Sequence, residues 1–222
     1  LLACGGNFDQ NRLIDRVTEL FVAAPKGKAN SEIAYPTEMI TGQKHLQRDI
    51  SQTHFVLGSR IPDQADPDRN ALILACEFFG VGMSSRLFQN IREELGLAYT
   101  VFAFNSFYSR GGMLGVYAAT EPGSADSTLE VIIDEYYRIV SKGLTKQEFE
   151  RTKNQIKGKT ILSSQSTDDR LMRIGSFALR QEEYESLEET LKVIDNIQLD
   201  EVQRVCQQFF NPEDLYVVKL GP

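Results

Sequence analysis

Apolar residues at Leu13, Ile14, Val17, Leu20 and Phe21 recur at three- and four-residue spacing behind two candidate caps, Asn7 and Asp9. That spacing predicts an amphipathic helix. Ahead of it, LLACGG is a short apolar run broken by Gly5 and Gly6, which predicts a strand. From Ala23 to Gly42 the period vanishes, and Pro25, Gly27, Asn30, Ser31, Pro36 and Gly42 punctuate the stretch. About twenty residues without structure are uncommon inside one compact domain. The pattern therefore predicts three parts: 1–22, the closing strand and helix of a first half lying upstream; 23–42, an interdomain linker; and 43–222, a C-terminal domain. The chain opens inside an element and without an initiator Met, which predicts that it belongs to a longer protein.

In the main body, KHLQRDI and THFVLGSRI read as two strands separated by Ser51 and Gln52. Pro62 to Pro67 form a loop in which Asp66 or Asp68 can cap the next helix. That helix, ALILACEFF, is apolar nearly all round and must be buried. A second helix runs from about Ser84 to Leu95 and closes at Gly96. Two long β runs follow, LAYTVFAFNSFYS and GMLGVYAAT, joined by a turn at Arg110–Gly112 and apolar on both faces at their centres. A sheet covered on both sides has that pattern. Leu129, Ile132, Ile133, Tyr136 and Ile139 stripe a helix that stops at Gly143, and Thr145 with Glu148 forms a capping box for the next. Helices over roughly 168–181, 187–196 and 200–210 and a last strand, LYVVKL, complete the chain. The order predicts an α+β fold with a mainly antiparallel sheet covered by helices.

Composition adds limits. The chain has 222 residues, 41% hydrophobic and 25% charged, and a length of this order buries roughly 70% of the unfolded surface without staples. No apolar run reaches the roughly 20 residues of a membrane helix. A net charge of −7, from 24 basic and 31 acidic residues, argues against nucleic acid as partner and mildly favours basic peptides. Cys4, Cys76 and Cys206 have no metal-type spacing and sit in apolar settings, which reads as buried, reduced thiols of a reducing compartment.

The segment GVGMSSRLFQNIREELGLAY, residues 80–99, concentrates the candidate chemistry. Its glycines do not form a nucleotide loop: the preceding segment is a helix, and Ser84, Ser85 and Arg86 stand where a phosphate loop needs Gly-Lys-Ser/Thr. Gly80 ends one helix, Gly82 turns the chain, and Ser84 or Ser85 caps the next. His45 and His54, with Asp49 between them, could face one another on strands of opposite direction, but neither begins H-E-x-x-H or H-x-x-E-H. No Gly-x-Ser-x-Gly elbow occurs. Arg92 and Tyr99 remain. On a helical wheel Leu87, Phe88, Ile91 and Leu95 form the apolar stripe with Arg92 at its margin, and Gly96 reverses the chain toward Tyr99. A guanidinium and a phenol at one end of a sheet are hydrogen-bond donors toward a carbonyl or an oxyanion. A solvated arginine beside a half-buried strand tyrosine fits the spacing as well.

The words SSRLFQNIREELGLAYTV, GGMLGVYAAT and LTKQEFERTKNQIKG, in this order, resemble the second half of the pitrilysin/insulinase-type zinc peptidases, most nearly the processing-peptidase branch. LLACGGNFDQNRLIDRVTELF resembles the closing strand and helix of that family's first half, and LYVVKLGP the end of its second. The resemblance implies one half of a clamshell of two similar halves. The first half carries H-x-x-E-H, a further Glu and zinc; the second lacks the metal and contributes an Arg and a Tyr, which match Arg92 and Tyr99. By that resemblance both bind the substrate backbone, and Tyr99 helps stabilise the tetrahedral intermediate. No cofactor or metal is then expected in this chain, with zinc in a first half or a partner subunit. The resemblance also implies a peptide substrate, the metal-bearing half or a homologous subunit as partner, room for a dimer, and a bacterial cytoplasmic setting unless a signal lies upstream. The leading expectation is the substrate-binding, non-metal half of a zinc metalloendopeptidase. The alternative is a noncatalytic assembly subunit of the same fold.

Overall fold

A computed structural model describes residues 1–24, 27 and 40–222. Most of the expected linker over 23–42 lies outside the described residues. Two compact units emerge: the described part of 1–37 together with 161–185, and 38–160 together with 186–222.

In the smaller unit, helix α1 (Gln10–Phe21) starts where the pattern places it, with the Asp9 carboxylate accepting from the Arg12 N–H at 2.9 Å. The expected strand over LLACGG does not form. A strand needs neighbours to pair its backbone groups, and these residues have none among the described residues. Cys4 is exposed rather than buried for the same reason. Helix α5 (Thr167–Arg180) is capped by the Ser166 hydroxyl, which accepts from the Asp169 N–H.

The larger unit is built on one five-stranded sheet. Its strands are β1 (Gly42–Gln47), β2 (Thr53–Ile61), β3 (Ala98–Tyr108), β4 (Gly111–Thr120) and β5 (Tyr216–Gly221), in the order β1-β5-β2-β4-β3. Only the β1–β5 pair is parallel. The C-terminal strand β5 therefore lies between β1 and β2, which the sequence suggested as neighbours. His45 pairs with Lys219 and His54 with Leu220, so β5 keeps the two histidines apart.

Helices α2 (Arg69–Gly80), α3 (Ala125–Lys142) and α7 (Leu199–Phe209) supply the apolar layer over one sheet face. Alternation in β2 sends Phe55, Leu57 and Ile61 into that layer, where Phe79 meets Tyr136 and Phe210 edge-on at 4.7 and 5.3 Å and Tyr136 lies tilted against Phe210 at 5.9 Å. Burial pushes the Cys76 and Cys206 thiols up to about 12, so both are inert packing groups. Helix α4 (Lys146–Ser163) begins with the expected capping box: the Thr145 N–H donates to Glu148 at 2.8 Å, and the Glu148 N–H to Thr145 at 3.2 Å. Helix α6 (Leu187–Asn196) carries a capping box of the same kind, Ser186 with Glu189.

The other sheet face is not covered as the double-sided apolar runs suggested. Leu46, Val56, Phe102 and Met113 are exposed on it. Aromatic rings shield one another there: Phe102 lies 5.2 Å from Tyr117 and 6.4 Å from Phe104, and the Tyr117 hydroxyl meets His54 Nδ1 at 2.8 Å. Phe104 rests on Gly115, where a Cβ would come within 2.6 Å of its ring. The residues are apolar because they pack laterally across the strands, not because a second layer buries them.

Asp68 stands at the N-terminus of α2, but its side chain does not cap the helix. Asp66 instead accepts from the Asp68 N–H at 2.8 Å, and Asp68 takes a two-pronged contact from Arg204 of α7, one arm at 2.7 Å. The Arg204 hydrogen bonds hold the Asp68 carboxyl below the usual carboxylate range. A depressed folded-state value means that the unfolded chain binds the proton more tightly. The contribution is thus complete above the unfolded value and is lost as pH falls through the folded one, below about pH 4. Thermal melts across the acid range are expected to show a shallower acid decline for Asp68→Asn than for the natural chain.

Candidate functional site

The segment between α2 and β3 decides where Arg92 and Tyr99 meet. Gly80 ends α2 against Ala103, whose backbone N would lie 2.5 Å from an added Cβ, so the helix end and the strand touch. Gly82 turns the chain. Neither Ser84 nor Ser85 caps the next helix: the Ser85 hydroxyl donates back to the Gly82 carbonyl at 2.7 Å and Ser84 to Gln155 at 2.9 Å. Arg86 is held by the Gly143 carbonyl at 3.1 Å and stacks on Phe78 at 4.6 Å. No free anion cradle remains at this helix start.

The helix itself differs from the expected α-helix. From Phe88 to Glu94 it is π-wound, with the Leu95 N–H bonded to the Asn90 carbonyl at 3.0 Å. The extra residue per turn breaks the α-helical wheel. Leu87 and Ile91 are fully buried as the wheel places them, but Leu95 is 50% exposed instead of completing the stripe. Gly96 then adopts φ +61°, and the Leu97 N–H returns to the Ile91 carbonyl at 2.9 Å. This is a Schellman-type closure drawn out by one residue because the last turn is π-wound. The Thr120 hydroxyl clamps the Leu97 carbonyl from β4, and Thr120 pairs with Ala98.

Tyr99 is the additional residue of a β-bulge: Ala98 pairs with Thr120 and Thr100 with Ala119, leaving Tyr99 without an opposite number. A bulge re-aims a side chain, and Tyr99 is 75% exposed on the edge strand. The Arg92 guanidinium carbon lies 4.4 Å from the Tyr99 ring centroid and 4.8 Å from that of Phe88. Among the described residues its one ion-pair contact is a long one, 3.7 Å to Glu93. Arginine and tyrosine are thus brought together as a stacked pair.

Among the described residues no group of three His, Cys, Asp or Glu side chains could hold an ion. His45 Nε2 faces the Gly221 carbonyl at 3.3 Å and His54 faces Tyr117. The residues present do not fit a zinc centre. Among the described residues no helix is long and apolar enough to cross a membrane.

Two residues beside the site escaped sequence reasoning. Asn90 donates through Nδ2 to Glu135 at 2.7 Å, and Glu135 is 3% exposed on α3. The pair is 45 residues apart, and both fall within ordinary helical text, so no local signal marks them. Gly96 does carry a local signal. No atom lies within 4 Å of a Cβ added there, so its requirement is purely the left-handed backbone. Gly96→Ala is expected to lose about 1–2 kcal/mol in chemical denaturation, and Gly96→Asn less.

Comparison with known proteins places the chain in a family and a fold. A family model described as peptidase M16 inactive domain matches residues 1–156. An uncharacterized zinc protease of Mycobacterium leprae (strain TN) is 32% identical over 95% of this chain and 48% of its own length. One from Streptomyces coelicolor is 31% identical over 93% and 47%. The chain spans about half the length of these relatives. The crystal structure of a peptidase M16 inactive domain from Pseudomonas fluorescens shares the fold with a TM-score of 0.83 at 23% identity, covering 98% of this chain and 52% of that one. A protease from Helicobacter pylori superposes at 0.79 and 18% identity, covering 98% and 53%. The chain belongs to the peptidase M16 family of zinc proteases, as its inactive domain.

Proposed function

We propose that this chain is the substrate-binding, non-metal half of a zinc metalloendopeptidase, of the processing-peptidase kind, and that Arg92 and Tyr99 are its working residues. The observation that carries the reading is the 4.4 Å stack of the Arg92 guanidinium on an exposed, bulge-directed Tyr99. Free η nitrogens and a phenol beside them can both donate to a peptide carbonyl. A donor preset toward an oxygen gains most when that oxygen acquires charge, so the pair favours the transition state over the bound substrate. Stacking on two rings holds the guanidinium in place before substrate arrives, which removes an ordering cost from binding. The hydrolytic ion belongs to residues outside this chain, in a metal-bearing half or a homologous subunit. On this reading residues 1–22 are the closing element of that first half, which agrees with an α1 that buries none of its own residues. The bacterial relatives and the inert thiols of Cys76 and Cys206 support a cytoplasmic setting. The second reading is an assembly subunit that uses the same fold without catalysis.

The two separate in one experiment. In the protein joined to its metal-bearing half, Arg92→Ala and Tyr99→Phe are each expected to lower kcat for peptide hydrolysis by about 100- to 1000-fold. Zinc content measured alongside is expected at about one ion per complete molecule and none in this chain alone. Natural rates in both variants would remove the pair from catalysis and leave the assembly role.

A further inference from the structure

The π winding under Arg92 needs something to hold it. In the α-wound alternative the Leu95 N–H would bond to Ile91 rather than Asn90, and the residues beyond would turn by about 100° relative to those before. The downstream end cannot follow freely, because Thr120 holds both Leu97 and Ala98. A change of winding would therefore be absorbed between Arg92 and Gly96 and would carry the guanidinium off Tyr99.

Upstream, the anchor is polar. Asn90 Nδ2 donates to Glu135 Oε1 at 2.7 Å, and Arg138 Nη1 donates to the same oxygen at 2.6 Å. Glu135 projects from α3, an 18-residue helix fixed in the core by Ile132, Tyr136 and Ile139. Packing alone does not restrain Asn90. It borders a cavity of about 400 Å³ lined also by Arg86, Glu135, Arg138 and Lys142, so it has room to move once its hydrogen bond is broken. The Glu135–Arg138 pair is open to solvent on the arginine side, and an ion pair of that kind adds little net stability. A carboxylate at 3% exposure is thus better explained by what it places than by what it stabilises.

We infer that Glu135, acting through Asn90, is a positioning residue that fixes the π-wound turn and so holds the Arg92 guanidinium over the Tyr99 ring. This rests on the functional reading above for its purpose, but not for its geometry. Neither side chain touches the peptide, and both act through Arg92.

The test reads the stack directly. In the ¹⁵N-labelled chain, the Arg92 Nε–Hε resonance is identified by its loss in Arg92→Lys, and ring currents from Phe88 and Tyr99 set it apart from exposed arginines such as Arg16. Asn90→Ala is expected to move it toward the exposed position while the Arg86 resonance stays in place. Glu135→Gln, which keeps an acceptor for Asn90, is expected to retain it. The double variant Asn90→Leu/Glu135→Leu removes both partners of the hydrogen bond, so that no carboxylate is left buried without its donor, and guards against simple unfolding; it is expected to fold and still lose the Arg92 shift. With the metal-bearing half present, Asn90→Ala should reduce kcat by up to about 100-fold, with KM changing much less. An Arg92 resonance unmoved in both Asn90→Ala and the folded double variant would overturn the inference. Because that resonance is read without any peptidase assay, its outcome is independent of whether Arg92 serves catalysis.

Discussion

Everything at the candidate site depends on one backbone reversal. Between the end of the π-wound helix and the first pair of β3, the chain turns through a left-handed Gly96 and enters the sheet one residue early, leaving Tyr99 as an unpaired bulge. Without the reversal, a helix end and a strand start have no reason to present side chains to one another. With it, a cation and an aromatic ring meet at 4.4 Å at the sheet edge. The strong apolar layer beneath, from Leu87 and Ile91 to Phe79 and Tyr136, supplies the rigid floor on which this turn is set.

The architecture divides labour between the two sheet faces. The helix-covered face supplies stability through close-packed aliphatic and aromatic side chains. The opposite face keeps Phe102, Phe104, Tyr117 and His54 in lateral contact and open to solvent. The stacked tyrosine belongs to β3, at the sheet's outer edge, and the arginine to the π-wound helix that precedes it. On the proposed reading, a domain with no metal site among its described residues contributes fixed donors to chemistry performed by an ion held elsewhere.

Much of this was legible in the sequence because the determining signals are local. The capping box at Thr145 and Glu148, the all-round apolar α2 and the Gly96 stop each act within a few residues. Arg92 and Tyr99 are singled out by the family resemblance; the glycine between a helix and a strand only allows them to converge. What escaped is non-local or competitive. Insertion of β5 between β1 and β2 depends on pairing across the whole chain. The LLACGG run has the composition of a strand but no edge to join among the described residues. The π winding defeats a wheel drawn at the α period, so Leu95 was assigned to the wrong side. Asp68 was read as a cap, but Arg204 in a distant helix offers it a stronger, charge-assisted partner.

The most direct measurement is a crystal structure of the chain with its metal-bearing half and an uncleaved peptide bound. The central claim predicts a peptide carbonyl oxygen within hydrogen-bond distance of both the Tyr99 hydroxyl and an Arg92 η nitrogen, with the guanidinium still stacked on the ring. A peptide whose backbone lies elsewhere, leaving both groups facing solvent, would contradict it.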